Sequence, residues 1–125
     1  MDREVVRRLE DRTKRFAIDA IRLQRVLGQQ CELRDAASQF SRAANSVAAN
    51  HRAMSRARSL KEFAAKLHIV HEEADECAHW AGVILETNRD VRAVAALKAL
   101  AIESQQLRNL FGQARATTRH KLSSS

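Results

Sequence analysis

The residues best suited to chemistry in this 125-residue chain form one line. His68, His71, Glu72, Asp75 and His79 recur at i, i+3, i+4, i+7 and i+11, so on a helix they share one side. Glu76-Cys77-Ala78-His79 adds an E-x-x-H, a motif that di-iron bundles use in pairs alongside two further glutamates. One copy, with no second carboxylate pair elsewhere, does not build such a centre. The line reads instead as a solvated face with i,i+4 histidine–acid pairs, and no metal or other cofactor is expected. A second pattern, Arg115-Ala-Thr-Thr-Arg119-His120, is an R-x4-H. Arginine there could hold a phosphate while histidine activates a 2′-hydroxyl, as in some helical ribonucleases. The pattern lies in a polar stretch near the end of the chain and arises easily in an arginine-rich sequence. Catalysis by Arg115 and His120 therefore stands behind the other readings. There is no Ser-His-Asp set, glycine-rich phosphate loop or nucleophile elbow, and the chain is expected not to be an enzyme.

Charge is more informative. The chain carries 22 Lys/Arg against 15 Asp/Glu, a net +7. By segment the net charge is +3 over 1–29, +3 over 30–58, −4 over 59–88 and +5 over 89–125. Arg52, Arg56, Arg58 and Lys61 surround one predicted turn, and Arg115, Arg119, His120 and Lys121 cluster near the C-terminus. In an up-down bundle the fourth helix returns to the end where the second and third join, so both clusters meet there. Cations at helix C-termini complement the macrodipole, but two clusters at one end also make a phosphate-binding patch. Arg8, Arg12, Arg15, Arg22 and Arg25 form a second basic line, interleaved with Asp11 and Asp19 and so partly self-paired. No aromatic residue lies in these patches. Binding is therefore expected to be directed to the nucleic-acid backbone, RNA or DNA, with weak sequence specificity.

The elements that would hold these residues are helices. The chain has no proline, three glycines and no tyrosine, and Ala, Leu, Arg and Glu favour helix. A first helix is predicted over Arg3–Leu27, with the stripe Leu9, Thr13, Phe16, Ala20, Leu23, Leu27 at steps of 3 and 4. A second, Cys31–Arg56, carries Leu33, Ala37, Phe40, Ala44, Val47, His51 and Met54. Ser59-Leu60-Lys61-Glu62 is an S-x-x-E capping box that starts a third helix at Leu60, with the seam Phe63, Leu67, Val70, Ala74, Cys77, Ala81, Ile84. Thr87-Asn88-Arg89 breaks the pattern and Asp90 can cap a fourth helix. Its predicted stripe is Ala96, Leu100, Leu107, Leu110 and Ala114, interrupted by Glu103. The expected fold is all-α, a left-handed antiparallel up-down four-helix bundle over residues 1–116, with a frayed polar tail over 117–125.

Two features lie off these seams. Ile69, Trp80 and Val83 form a second apolar strip on the third helix, expected to be buried between subunits. Asn50, Glu73 and Glu103 turn inward and need partners; Arg42 and Ser46 are the available ones, giving a polar network that fixes register. Cys31 and Cys77 are isolated thiols that suggest a reducing compartment. The N-terminus is too charged for a signal peptide, and no apolar run spans a bilayer. A soluble cytoplasmic protein with no membrane partner is expected.

RTKRFAIDAIRL (12–23), the SVAAN run (46–50), RARSLKEFAAKL (56–67), EEADE (72–76) with Trp80, and ESQQL (103–107) resemble, in order, a known family. These are the S23-type four-helix bundle proteins encoded in intervening sequences of bacterial 23S rRNA genes. They are similar to the accessory variability protein of diversity-generating retroelements. The resemblance covers roughly residues 12–115. It implies a ring-like homo-oligomer, commonly a pentamer, with a basic surface. It also implies nucleic-acid binding, assistance to a reverse transcriptase in the retroelement relatives, and no established enzyme activity. The leading expectation is thus a non-enzymatic, oligomeric nucleic-acid-binding accessory protein. The rival is a structural ring whose basic charge serves an acidic protein partner.

Overall fold

The computed structural model describes residues 2–124. They form four long helices, α1 (Arg3–Leu27), α2 (Arg34–Ser55), α3 (Leu60–Thr87) and α4 (Val94–Ser124), with no strand among the described residues. Short 3-10 turns, Cys31–Leu33 and Val91–Ala93, lead into α2 and α4. The starts follow capping chemistry. The Asp2 carboxylate accepts from the Glu4 amide at 3.2 Å, Ser59 Oγ from the Glu62 amide at 3.0 Å, and Asp90 from the Arg92 amide at 2.9 Å.

The predicted seams of α1 and α2 are buried throughout, and that of α3 from Leu67 to Ile84, with Phe63 packed at its edge. Phe16 of α1 and Phe40 of α2 meet edge to face, centroids 6.0 Å apart, an orientation favoured by the ring quadrupoles. The seam of α4 differs from expectation. Ala93, Leu97, Leu100, Ser104, Leu107, Phe111 and Thr118 are buried, whereas Ala96 is exposed and Leu110 and Ala114 lie half-buried. Leu100 and Leu107 belong to both patterns, so the predicted stripe is rotated about its own shared residues. Ser104 hid the true phase. Its hydroxyl donates to the Leu100 carbonyl at 2.7 Å, which lets a polar residue occupy a core position.

The expected frayed tail is helical instead. α4 continues to Ser124, and Thr118 is buried. Its last turns lie along the first turns of α3, where Thr118 and Leu122 share a small cleft with Ala64 and Leu67. Met1 and Ser125 lie outside the described residues.

The helices pack in chain order, α1 on α2, α2 on α3 and α3 on α4, while α1 and α4 touch sparsely. Cross-helix pairs show that neighbours run antiparallel. Glu10 near the start of α1 meets Arg56 at the end of α2, Arg42 of α2 meets Glu73 of α3, and His71 of α3 meets Arg115 of α4. The molecule therefore has two poles. One holds the α2–α3 turn with the start of α1 and the end of α4; the other holds the α1–α2 and α3–α4 connections. None of the four helices is long and apolar enough to cross a membrane.

Candidate nucleic-acid interface

The pole at the α2–α3 turn carries both predicted cation clusters. Arg52 and Arg56 come from the last turn of α2 and its cap, Arg58 from the turn and Lys61 from the first turn of α3. Arg115, Arg119 and Lys121 come from the end of α4. Their circumstances differ. Arg56 Nη1 is bound to the Glu10 carboxylate at 3.2 Å, and Arg115 Nη1 to His71 Nδ1 at 3.1 Å. Arg52, Arg58, Lys61, Arg119 and Lys121 are exposed, with no side-chain ion pair or hydrogen bond among the described residues.

The opposite pole is built differently. The Gln30 amide donates to Asn88 Oδ1 at 2.8 Å, and its oxygen accepts from the Arg89 backbone at 3.0 Å. Asn88 in turn donates to the Asp90 carbonyl at 2.9 Å. Arg89 pairs with Glu32, and Arg92 with Asp90 at 3.1 Å. The two connections are clasped together and their charges are matched. Hydrogen bonding to Arg92 holds the Asp90 carboxyl below its ordinary range. Beyond the connections this pole leaves Arg25 and Arg34 exposed without a carboxylate partner among the described residues, against five such cations at the α2–α3 pole.

The line of polar residues on α3 resolves into separate pairs. His68 Nε2 lies 3.2 Å from Glu72, Asp75 lies 3.7 Å from Arg108, and His79 packs edge-on against Trp80 with centroids 5.0 Å apart. Glu76 is held by Arg42 and by the Trp80 indole N–H. Hydrogen bonding from Arg42 is the main reason that its pKa is lowered. No three His, Cys, Asp or Glu groups among the described residues are placed to hold a metal ion. Arg115 and His120, five residues apart on α4, point about 140° from each other around the axis, and Arg115 is turned to His71. The geometry does not bring them together as an acid–base pair. Cys77 is buried, which pushes its thiol pKa up, whereas Cys31 is exposed.

The expected polar network is in fact three separate contacts. Arg42 spans α2 and α3 to reach Glu73 at 3.1 Å and Glu76. Among the described residues, Asn50 bonds within its own helix, to Ser46. Glu103 does not meet Arg42 at all. It takes a two-pronged bond from Arg12 of α1, at 2.8 and 2.6 Å. The reassignment follows from the rotated phase of α4, which turns Glu103 toward α1. In the predicted subunit strip, Ile69 is exposed, Val83 is half-buried, and Trp80 packs against the core. Between α1 and α4 runs a groove of about 670 Å³ floored by Phe16, Leu23, Val26, Ala93 and Leu100.

Sequence reasoning missed the contact between His71 and Arg115. Gly112 makes it possible: a Cβ there would lie 3.1 Å from His71 Nε2. A glycine inside a long helix costs up to about 1 kcal/mol relative to alanine, and that anomaly was the available signal for a close approach.

Among solved structures, the chain is similar to a crystal structure from Bacteroides thetaiotaomicron, described as a protein of unknown function from the S23 ribosomal protein family. The two share 24% identity with a TM-score of 0.74, over 85% of this chain and 96% of the other. That likeness establishes the fold. No protein-family model matches the chain, and no curated protein matches it.

Proposed function

We propose that this chain is a non-enzymatic accessory protein that assembles with copies of itself and binds the phosphate backbone of nucleic acid through its cationic pole. One observation carries this: five exposed cations with no side-chain partner among the described residues, Arg52, Arg58, Lys61, Arg119 and Lys121, gather at one pole, while the other pole pairs Arg89 and Arg92 with carboxylates and leaves Arg25 and Arg34 without one among the described residues. The fold likeness and the ordered motifs of the sequence agree, and on both grounds we assign the chain to the S23-type proteins. The resemblance of the sequence motifs supports a pentameric ring and an assisting role beside a reverse transcriptase, and the isolated thiols Cys31 and Cys77 fit the reducing cytoplasm. A ring would repeat the pole, and several weak contacts would then add.

The test is fluorescence anisotropy with structured RNA and with duplex DNA over a salt series. Each neutralised phosphate releases condensed counterions, so affinity should fall steeply with salt. Replacing Arg52, Arg56, Arg58 and Lys61 together by Gln should weaken RNA and DNA binding alike. On duplex DNA it should flatten the log–log salt slope by about 0.9 for each phosphate that is no longer neutralised. Arg56 already has a partner in Glu10, so most of the loss should come from the other three. Arg119→Gln with Lys121→Gln should add to it without disturbing the packed end of α4. No binding by the wild type at low salt would overturn the proposal and favour an acidic protein partner.

A further inference from the structure

A cleft of about 160 Å³ opens between α3 and α4 at the cationic pole. Ala64, Leu67 and Leu122 give it apolar walls, and His68, Arg115, Thr118 and Arg119 supply its polar groups. Arg115 and Arg119 stand one turn apart on the same side of α4. Thr118 is largely buried, and its hydroxyl has no hydrogen-bond partner among the described residues. The donors outnumber the acceptors, and no carboxylate lines the cleft. Apolar walls lower the local dielectric and strengthen any charge interaction made there. No Phe, Tyr or Trp lines it for a base to stack on, and the His68 imidazole is tied to Glu72 at 3.2 Å. One anionic group with several acceptor oxygens fits this chemistry.

His71 does not line the cleft but reaches it through Arg115, 3.1 Å from its Nδ1. Its Nδ1 faces the Arg115 guanidinium, which can only donate. The imidazole is therefore neutral there, with Nδ1 the acceptor and the proton on Nε2, against Gly112. The charged and titratable groups acting on it are Arg115 on α4 and Asp75, His68 and Glu72 on α3. Burial, and then Arg115, hold its pKa below the ordinary histidine range.

We propose that this cleft seats one phosphate group of a nucleic-acid strand, and that His71 takes up a proton from solvent as the seat fills. An anion between the two arginines would draw Arg115 off Nδ1 and offset the repulsion that keeps the imidazole neutral. Binding that raises a group's pKa is favoured as pH falls. Affinity should therefore grow as pH drops through the histidine range, about tenfold for each unit by which filling the seat raises the His71 pKa. This rests on the cationic pole being the nucleic-acid face.

The experiment is anisotropy with a short single-stranded RNA, with and without a 5′-phosphate, between about pH 7.5 and about pH 5.5. The wild type should bind more tightly at the lower pH. His71→Gln should lose that gain while still binding at the higher pH, and Arg119→Gln should weaken binding across the range. Gly112→Ala, which favours the helix but crowds the ring, should also reduce the gain, and it serves as the second variant should His71→Gln unfold. His79→Gln should behave as wild type. A gain confined to the 5′-phosphorylated strand assigns the seat to a terminal monoester, and an equal gain on both strands to a backbone diester. A wild type that binds at low salt with a pH response unchanged in His71→Gln and Gly112→Ala overturns the seat alone. A wild type that binds neither strand overturns the pole and the seat together.

Discussion

His51 is wholly buried on α2, and neither ring nitrogen has a hydrogen-bond partner among the described residues. Phe111 of α4 lies against it, centroids 5.8 Å apart. Burial lowers its pKa, opposed weakly by Glu10. The unfolded chain therefore takes up a proton near the ordinary histidine pKa, whereas the folded chain takes it up only at lower pH. Stability from this group is present above that pKa and is lost as pH falls below it, by up to about 1.4 kcal/mol per pH unit. His51→Leu should flatten the pH dependence of thermal unfolding below about pH 6.5. It should also raise the melting temperature at neutral pH, because a like-sized apolar group removes two unsatisfied polar atoms. An unchanged pH profile would show that His51 is charged or solvated. The spacing of the second helix already put His51 on the buried seam. Its lack of a partner was not legible, because partners come from other helices.

The weakest join between elements is that of α1 with α4. Arg12 and Glu103 tie it, helped by Gln106 at 3.1 Å from Arg12. The pair is about a third exposed on the arginine and a quarter on the glutamate, so its contribution is about 1 kcal/mol or less. Arg12→Gln or Glu103→Leu should speed amide exchange in the first turns of α1 up to about fivefold, whereas Glu86→Leu, at an exposed position, should not. Equal exchange in all three would mean that the tie is idle. Three of the four helices were legible to within a few residues, because their apolar steps alternate strictly and Ser59 marks a start. The fourth was legible as a helix but not in phase. Ser104 and Thr118 sit in its seam, and alternative leucines offered a plausible stripe. The same error hid the partner of Glu103, while the polar, serine-rich composition made the end of α4 look frayed.

At the scale of the whole molecule, the groove between α1 and α4 has an apolar floor over buried Phe16, Leu23 and Leu100 and an exposed Ile102 in its lining, and Ile69 is exposed on α3. Self-association would cover such faces. Light scattering should report a stable assembly of about five chains, in the closed symmetry usual for homo-oligomers. A monomer whose mass does not change with concentration would remove the ring from the proposal. Gathering both cation clusters at one pole followed from helix count and turn length alone, so that half of the candidate interface was legible. The matched charges of the two connections at the other pole were not, because they depend on loop side chains such as Gln30 and Asn88 whose partners are set by the docking of those connections.

Both described ends of the chain, Asp2 and Ser124, emerge at the cationic pole. Anything fused to either terminus would hang over the face that meets the ligand and could mask it or mimic it. The clasped pole offers the alternative handle. Cys31 is exposed there, while Cys77 is shut inside with an unreactive thiol. A thiol-directed dye or surface tether would therefore attach at a single point, about a helix length away from the cationic face.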